Sequence, residues 1–228
     1  MFTPEELTTI ALSVRVAALA SLGALPLAVA VGWLLARRRF PGKALLDALV
    51  HLPLVLPPVV VGYALLVAFG SQGPAGRFLG QFGIELAFRW TGAALAAGIM
   101  GFPLMVRTIR LSIENVDRRL EQAAATLGAS PWRRFFTITL PLAWPGLVAG
   151  AVLGFAKALG EFGATITFVS AIPGETRTLS SAIYGLMQVP GGEAAIWRLA
   201  AVAIAISLFA LLASEWLVRR QRGPEDEP

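Results

Sequence analysis

The most informative stretch of the sequence runs from Asp117 to Pro141 and reads DRRLEQAAATLGASPWRRFFTITLP. Asp117 suits the N-cap of a helix, and the good helix formers after it predict a helix over residues 118–127. Gly128 suits the left-handed residue that ends such a helix, and Ser130 followed by proline is typical of the start of another. The stretch therefore predicts a helix-turn-helix whose small alanines would let it dock closely into a groove of a cytoplasmic partner.

Long apolar runs flank this polar stretch on both sides. Of the 228 residues, 56% are hydrophobic and 14% are charged, and the mean hydropathy is +0.70. This composition excludes an ordinary soluble enzyme and a disordered chain. A helix needs about 20 apolar residues to cross a membrane. Five runs are long enough once flanking residues are added: Val16–Ala36, Ala48–Gly76, Trp90–Val106, Phe135–Ala156 and Leu199–Ser214.

These runs predict an all-α membrane protein with about five transmembrane helices and a cytoplasmic helical loop. We expect one transmembrane domain over residues 1–222, with the loop at 107–141. The tail at 223–228 is acidic and contains proline, so we expect it to be disordered.

Three basic clusters predict the orientation of the spans. They follow the first span, lie between the third and the fourth, and follow the fifth: Arg37, Arg38, Arg39 and Lys43; Arg107, Arg110, Arg118, Arg119, Arg133 and Arg134; Arg219, Arg220 and Arg222. With five spans all three lie on one side, which the positive-inside rule makes the cytoplasm, so the N-terminus is outside and the C-terminus inside. Residues 163–195 would then be external, as a re-entrant segment or a surface loop. A short sixth span there would put the third cluster outside.

Prolines interrupt the second predicted span. In the run His51–Pro58, Pro53, Pro57 and Pro58 each lack a backbone donor and clash with the preceding turn, so the run cannot be one regular helix. In a membrane such a break survives only where protein or water satisfies the freed carbonyls. Two interpretations stay equally open: a translocation path or hinge, and a kink that serves packing alone.

Two ionisable residues lie within or beside the fourth apolar run. Lys157 and Glu161 are four residues apart, which predicts a shared helix face and an ion pair. Ionisable groups in a span are functional candidates, and a cation there could attract a dianion in the path. Because the pair lies toward the outer end of the span, we favour a structural ion pair over a substrate contact.

The sequence excludes several kinds of chemistry. The chain has 0 Cys and 1 His, so thiolate and multi-histidine metal sites are excluded. The single histidine, His51, is interpreted as a hydrogen-bonded structural residue. No catalytic triad or carboxylate dyad stands out, and there is no Walker A motif, because Gly42-Lys43 is followed by Ala44 and lacks the upstream glycine. We therefore expect no enzyme activity and no cofactor in this chain. The arginines lie between apolar runs, which argues against nucleic acid as a partner.

The loop resembles the EAA loop of ABC-importer permeases, whose signature is Glu-Ala-Ala, three residues, Gly, nine residues and Ile-x-Leu-Pro. The matching residues are Ala123, Ala124, Gly128, Ile138, Leu140 and Pro141. The sequence departs from the signature at one position, because the glutamate position falls on Gln122 and Glu121 comes one residue early. Either of these two residues could take the polar role.

The resemblance narrows to molybdate permeases at two further stretches, Leu52–Gly62 and Leu159–Thr165. It implies a type I ABC-importer permease fold in the bacterial inner membrane, two copies of the chain around one pathway, and an extracytoplasmic oxyanion-binding protein. It also implies a cytoplasmic ATPase dimer, which would hold ATP and Mg²⁺ and dock on the loop. Sulfate, thiosulfate and tungstate permeases remain alternatives, and an ion-coupled secondary transporter or a membrane scaffold is a more distant one.

Overall fold

Every regular element is a helix within residues 2–221, which are the residues that the computed structural model describes. The elements in chain order are α1 (Pro4–Arg37), α2 (Lys43–Val55), α3 (Pro58–Phe69), α4 (Pro74–Gly80), α5 (Trp90–Asn115), α6 (Arg118–Thr126), α7 (Pro131–Arg134), a π-helical turn (Phe135–Thr139), α8 (Leu140–Leu142), α9 (Trp144–Leu159), α10 (Gly163–Val169), α11 (Leu179–Leu186) and α12 (Glu193–Gln221). The predicted disordered tail and Arg222 lie outside the described residues.

Three of the helices are long and apolar enough to cross a membrane on their own: Pro4–Arg37, Trp90–Asn115 and Glu193–Val218. Two further pairs pass the same test but are bent, by 111° between α2 and α3 and by 69° between the Pro131–Leu142 segment and α9. The count reaches the predicted five when each bent pair is taken as one span. The bend between α2 and α3 falls at Leu56-Pro57, where Pro57 and Pro58 were predicted to interrupt the helix. The prediction was wrong for Pro53, which lies inside α2, because a single proline removes one hydrogen bond whereas Pro57-Pro58 removes two successive donors.

The helices α1, α5 and α9 form the centre of the bundle, and small residues let them approach closely. Gly98 of α5 faces Ala20 of α1, and Gly101 faces Gly154 of α9. Ser21 Oγ also donates a 2.6 Å hydrogen bond to the carbonyl oxygen of Ala151 across the α1–α9 contact. Small and hydroxylated side chains are the usual packing surface between helices in membranes, because lipid provides no hydrophobic drive for association.

Two contacts identify the ends of the bundle. At one end Arg37 Nη2, at the end of α1, donates to the carbonyl oxygen of Val116, just after α5. We call this end, which also carries α6, the coupling end. At the opposite end Glu6 of α1 forms a 2.6 Å ion pair with Arg198 of α12. The first two predicted basic clusters therefore lie at one end of the bundle, as the five-span prediction requires.

The segment at 163–195 is not a sixth span. It contains the short helices α10 and α11, of 7 and 8 residues, which are too short to cross a membrane. Ala164, Phe168 and Val169 are fully buried, and α10 packs on α3 and α5. Helix α10 is thus covered by protein, and of the three alternatives the structure excludes the sixth span.

The predicted loop at 107–141 is shorter in the structure, because α5 continues to Asn115. The second helix of the predicted helix-turn-helix is divided into α7, the π-helical turn and α8. Pro141 explains the widened turn, since its ring would clash with the carbonyl of Thr137 in a regular helix and it has no N–H to donate.

Candidate functional site

The loop at the coupling end has the predicted helix-turn-helix shape. Asp117 caps α6, with its Oδ1 accepting a 2.9 Å hydrogen bond from the backbone N–H of Arg119. Gly128 has a φ of +82°, a conformation that favours glycine and that ends the helix. Ser130 caps α7 through a 3.3 Å hydrogen bond from the backbone N–H of Arg133. The local sequence signals therefore predicted these element boundaries correctly to within one residue.

The outer face of α6 is exposed and partly apolar. Leu120, Ala123 and Leu127 are three and four residues apart, so they share one side of the helix, and all three are exposed. Leu127 is 88% exposed and Trp132, just after the turn, is 73% exposed. Gln122 is also exposed, and Ala124 is half-buried. Exposed apolar side chains that cluster in this way are typical of an interaction surface.

The inner face of α6 is anchored by Glu121. Its Oε1 lies 3.1 Å from Arg37 Nη2 and accepts a 2.6 Å hydrogen bond from Thr139 Oγ1. Glu121 thus joins α6 to the end of α1 and to the π-helical turn. The glutamate of the EAA signature could correspond to Glu121 or to Gln122. In the structure Glu121 makes the internal polar contacts, whereas Gln122 is exposed.

The second half of the signature, Ile138–Pro141, contains one of the two residues that hold Glu121. Thr139, the variable residue of Ile-x-Leu-Pro, is 1% exposed, and Ile138 is half-buried. Leu140 packs on the hydrophobic cluster at the coupling end, and Pro141 follows the π-helical turn. Sequence reasoning missed Thr139 and interpreted Arg37 only as a topology signal. A hydroxyl within the apolar Phe135–Leu142 run was the available hint.

The ion pair between Lys157 and Glu161 is present, with Nζ and Oε2 2.7 Å apart, but its setting differs from the prediction. Helix α9 ends at Leu159, so Glu161 lies in the break before α10 and does not share a helix face with Lys157. Its Oε1 accepts a 3.0 Å hydrogen bond from the backbone N–H of Ala164. Glu161 is 2% exposed. Its carboxylate can be buried because it pairs with the lysine and also accepts from a free backbone N–H at the start of α10.

The break between α2 and α3 lies against the break between α9 and α10. A Cβ atom on Gly62 of α3 would lie 2.5 Å from the carbonyl oxygen of Ala164, and one on Gly163 would lie 2.7 Å from Pro58 Cβ. The structure thus brings Pro58 next to the segment that holds Glu161. Pro57, which precedes α3, accepts a 2.9 Å backbone hydrogen bond from Val60, and both prolines are exposed. Broken helices that meet in this way are typical of transport paths.

A polar network ties α2 to α5 at the coupling end. Arg110 donates to Asp47 at 3.1 Å and to Glu114 at 2.8 Å. His51 Nδ1 lies 2.8 Å from the carbonyl oxygen of Asp47, which agrees with the structural role predicted for it. Sequence reasoning did not single out Asp47 or Glu114, and it interpreted Arg110 only as a topology signal. In the described part of the chain, no group of three His, Cys, Asp or Glu side chains could hold a metal ion.

A bundle of long apolar helices and bent helix pairs, with an anchored loop helix exposed at one end, agrees with the permease class that the loop signature implies. The family model described as "Binding-protein-dependent transport system inner membrane component" matches residues 28–223. The chain belongs to this family.

The similar curated proteins include transport permeases of two kinds. The molybdenum transport system permease protein ModB of Escherichia coli K12 is 59% identical over 223 residues, 97% of both chains. ModB of Haemophilus influenzae is 58% identical over 95% of both chains. The sulfate transport system permease protein CysT of E. coli K12 is 39% identical and covers 83% of this chain and 68% of its own.

Solved ABC transporters share the fold at low sequence identity. The MetNI methionine transporter in inward-facing conformations aligns with a TM-score of 0.74 at 16% identity, covering 96% of this chain and 99% of that one. A bacterial alginate transporter in complex with an alginate-bound periplasmic protein aligns with a TM-score of 0.71 at 18% identity, covering 96% and 80%. These likenesses concern the fold, a type I ABC-importer permease.

Proposed function

We propose that this chain is the membrane-spanning permease subunit of an ATP-driven importer that moves molybdate into the cytoplasm by alternating access. The observation that carries the proposal is the combination of an anchored, exposed loop helix with 59% identity to a molybdenum transport permease along nearly the whole chain. The sulfate alternative has weaker support, because the sulfate permease is 39% identical over a smaller share of both chains.

The energy source belongs to a partner. The chain lacks a Walker A motif, so ATP and Mg²⁺ would bind to a cytoplasmic ATPase dimer that docks on the exposed face of α6. Closure of the dimer would pull α6, and Glu121 would pass that motion to α1 and to the π-helical turn. ATP shifts such an equilibrium only by its differential binding to the two states. The coupling end is then cytoplasmic and the N-terminus external.

The translocation path would form between two copies of this chain in the bacterial inner membrane. The meeting of the two helix breaks at Pro58 and Glu161 is the candidate gate, with Pro57 and Lys157 beside it. An extracytoplasmic binding protein would deliver the oxyanion to the opposite end, as the periplasmic protein in the alginate transporter complex suggests for the architecture. Weak contacts suffice in such a path, because tight binding would slow release.

Uptake of labelled molybdate tests the proposed substrate. Cells that lack this chain should lose uptake, and complemented cells should regain it. Excess unlabelled tungstate should block the recovered uptake, because tungstate has nearly the same size and charge, whereas excess sulfate should not. Strong inhibition by sulfate would move the assignment to the sulfate permeases, and equal uptake by both strains would contradict molybdate transport.

Docking of the ATPase is tested separately by Gly128→Asp. This variant forces a side chain into the left-handed turn and adds a charge beside the exposed face of α6, so it should abolish co-purification of the ATPase while the chain still inserts. Gly83→Asp is the matched control, since Gly83 also has a positive φ, of +70°, is exposed, and has no atom within 4 Å of its Cβ position. Undiminished ATPase with Gly128→Asp would contradict the docking role.

A further inference from the structure

Two adjacent cavities of opposite character lie between the end of α1 and the segment from α6 to α9. The first, which we call the basic cavity, has a volume of about 360 Å³ and is lined by four arginines and one carboxylate: Arg37, Arg38, Arg118, Arg134 and Glu121. The carboxylate is already bound to Arg37 and Thr139. The positive charge of the basic cavity is therefore only partly balanced by the chain itself.

Two of these arginines also have donors without an acceptor. The Arg37 side chain is only 6% exposed, and its Nη1 is buried with no hydrogen-bond partner in the described part of the chain. Arg134 Nε is also buried without a hydrogen-bond partner in this part of the chain. Buried donors are rarely left unpaired, because each unmade bond costs the desolvation of the group. An anion from outside the chain would supply both acceptors and charge.

The second cavity, the apolar groove, has a volume of about 830 Å³. The α1 side of the groove contributes Pro26 and Val29, and the opposite side contributes Phe136, Leu140 and Leu147. It shares four lining residues with the basic cavity: Trp33, Arg38, Pro131 and Phe135. The two cavities are thus neighbouring parts of one amphipathic site, polar toward the coupling end and apolar along α1.

We propose that this site binds an anionic phospholipid, with the phosphodiester among the arginines and the acyl chains in the apolar groove. The pairing of the two cavities selects this ligand, since a free oxyanion would leave the groove empty and an uncharged lipid would leave the arginines unbalanced. Basic pockets between membrane helices on the cytoplasmic side commonly bind acidic headgroups. Trp33, with Arg38 5.3 Å above its ring, lies at the boundary between the two parts, where interfacial tryptophans are usual.

The bound lipid would act on the anchor of α6. Arg37 lines the basic cavity and also holds Glu121, so a headgroup there affects the contact that joins α6 to α1. Anionic lipid in the inner leaflet would thereby favour one position of α6 over another, to the extent that it binds the two positions differently.

Native mass spectrometry of the purified full chain, titrated with defined lipids in a mild detergent, tests this site. Phosphatidylglycerol should bind at least about tenfold more tightly than phosphatidylcholine. The double variant Arg38→Gln/Arg134→Gln should weaken phosphatidylglycerol binding by about tenfold or more and leave phosphatidylcholine binding unchanged. Inorganic phosphate in large excess should not displace the lipid, because it cannot replace the contacts in the groove.

Matched controls lie next to the changed residues. Arg39 follows Arg38 in the sequence and Arg133 precedes Arg134; both are exposed and line neither cavity. The double variant Arg39→Gln/Arg133→Gln therefore removes the same charge from the same segments. Equal loss of lipid in both double variants would overturn the proposal, because it would mean a general surface effect. Displacement by inorganic phosphate would overturn it in favour of a free anion.

A second measurement locates the acyl chains. Phosphatidylglycerol with a photoactivatable acyl chain should label peptides from residues 25–34 or 132–147, which line the apolar groove. Absence of label there would overturn the proposal and would indicate that another occupant, such as a second copy of the chain, fills the groove. Both measurements read lipid binding and not uptake, so their failure is distinct from a failure of the molybdate assignment.

Discussion

Glu121 shows how one carboxylate can connect three segments of a membrane protein. It contacts Arg37 at the end of α1 and Thr139 in the π-helical turn, and both partners are nearly buried. The ion pair is shielded from water, so its geometry is held more tightly than that of a surface pair. Side-chain contacts therefore join α6 to the spans, in addition to the covalent chain.

We expect Glu121→Ala to destabilise the coupling end. The change leaves the buried Arg37 guanidinium without its counter-charge, and breaking a buried ion pair costs roughly 3–5 kcal/mol. The variant should unfold at a lower temperature in detergent and should lose coupling of ATP hydrolysis to transport. Gln122→Ala, at the exposed neighbouring position, should leave the unfolding temperature unchanged. Equal unfolding temperatures for the two variants would rule out the anchor.

The pair of Lys157 and Glu161 allows a test of structure against substrate contact. Lys157→Met alone should impair uptake, because it leaves the buried Glu161 carboxylate without a cation. The double variant Lys157→Met/Glu161→Gln removes both charges, and its glutamine can still accept the hydrogen bond from Ala164. We expect the double variant to recover most of the uptake at equal expression. If the double variant remains inactive, a purely structural role of the ion pair is contradicted, and a direct role of one of the two residues in transport is favoured.

The short helices α3 and α10 each follow a break in an apolar part of the chain. Helix α3 ends its contact with α2 at the prolines and packs instead on α10, which itself follows the break that Glu161 closes. At the break between α9 and α10, the buried Glu161 side chain accepts a hydrogen bond from the N–H of Ala164, which lacks a partner within its own helix.

We expect Gly62→Ala to disturb this contact specifically. Its Cβ would lie 2.5 Å from the carbonyl oxygen of Ala164 and 2.9 Å from Thr167 Cβ, so α3 and α10 must move apart. Overpacking of this kind costs about 1–3 kcal/mol and should reduce uptake more than expression. Gly23→Ala in α1 is the control, since no atom lies within 4 Å of its Cβ position. Unchanged uptake in both variants would show that the contact does not gate transport.

For the whole molecule, the exposed apolar surface agrees with a chain surrounded by lipid and by another subunit. In the apolar part of helix α12 only 6% of the residues are buried, whereas in that of α5 67% are buried. Phe209 of α12 is 74% exposed. In water such a surface would cause aggregation, whereas in a bilayer it is the expected boundary.

The proposed orientation can be tested because the natural chain has 0 Cys. Gln81→Cys and Thr126→Cys place single thiols on exposed residues at opposite ends of the bundle. With the coupling end in the cytoplasm, a membrane-impermeant maleimide should label Gln81→Cys in intact spheroplasts and Thr126→Cys only after permeabilisation. The reverse pattern would contradict the orientation, and the cysteine-free chain provides the background.

The sequence by itself determined the features that depend on local chemistry. The apolar runs required membrane helices, the prolines required a break before α3, and Asp117, Gly128 and Ser130 marked the ends of the loop helices to within a residue. Each of these signals acts through neighbouring residues in the chain, through hydropathy, a missing donor or a capping side chain. They can therefore be interpreted without knowledge of the fold.

Only the tertiary structure decided which distant residues meet. It assigned the internal contacts to Glu121 and the outward position to Gln122, because Arg37 and Thr139 come from other segments. It placed Glu161 in a helix break instead of on a helix face, and it brought Pro58 next to Gly163, two residues after Glu161. Burial and pairing across the bundle depend on how helices pack, and the spacing of residues along one helix carries no information about its neighbours.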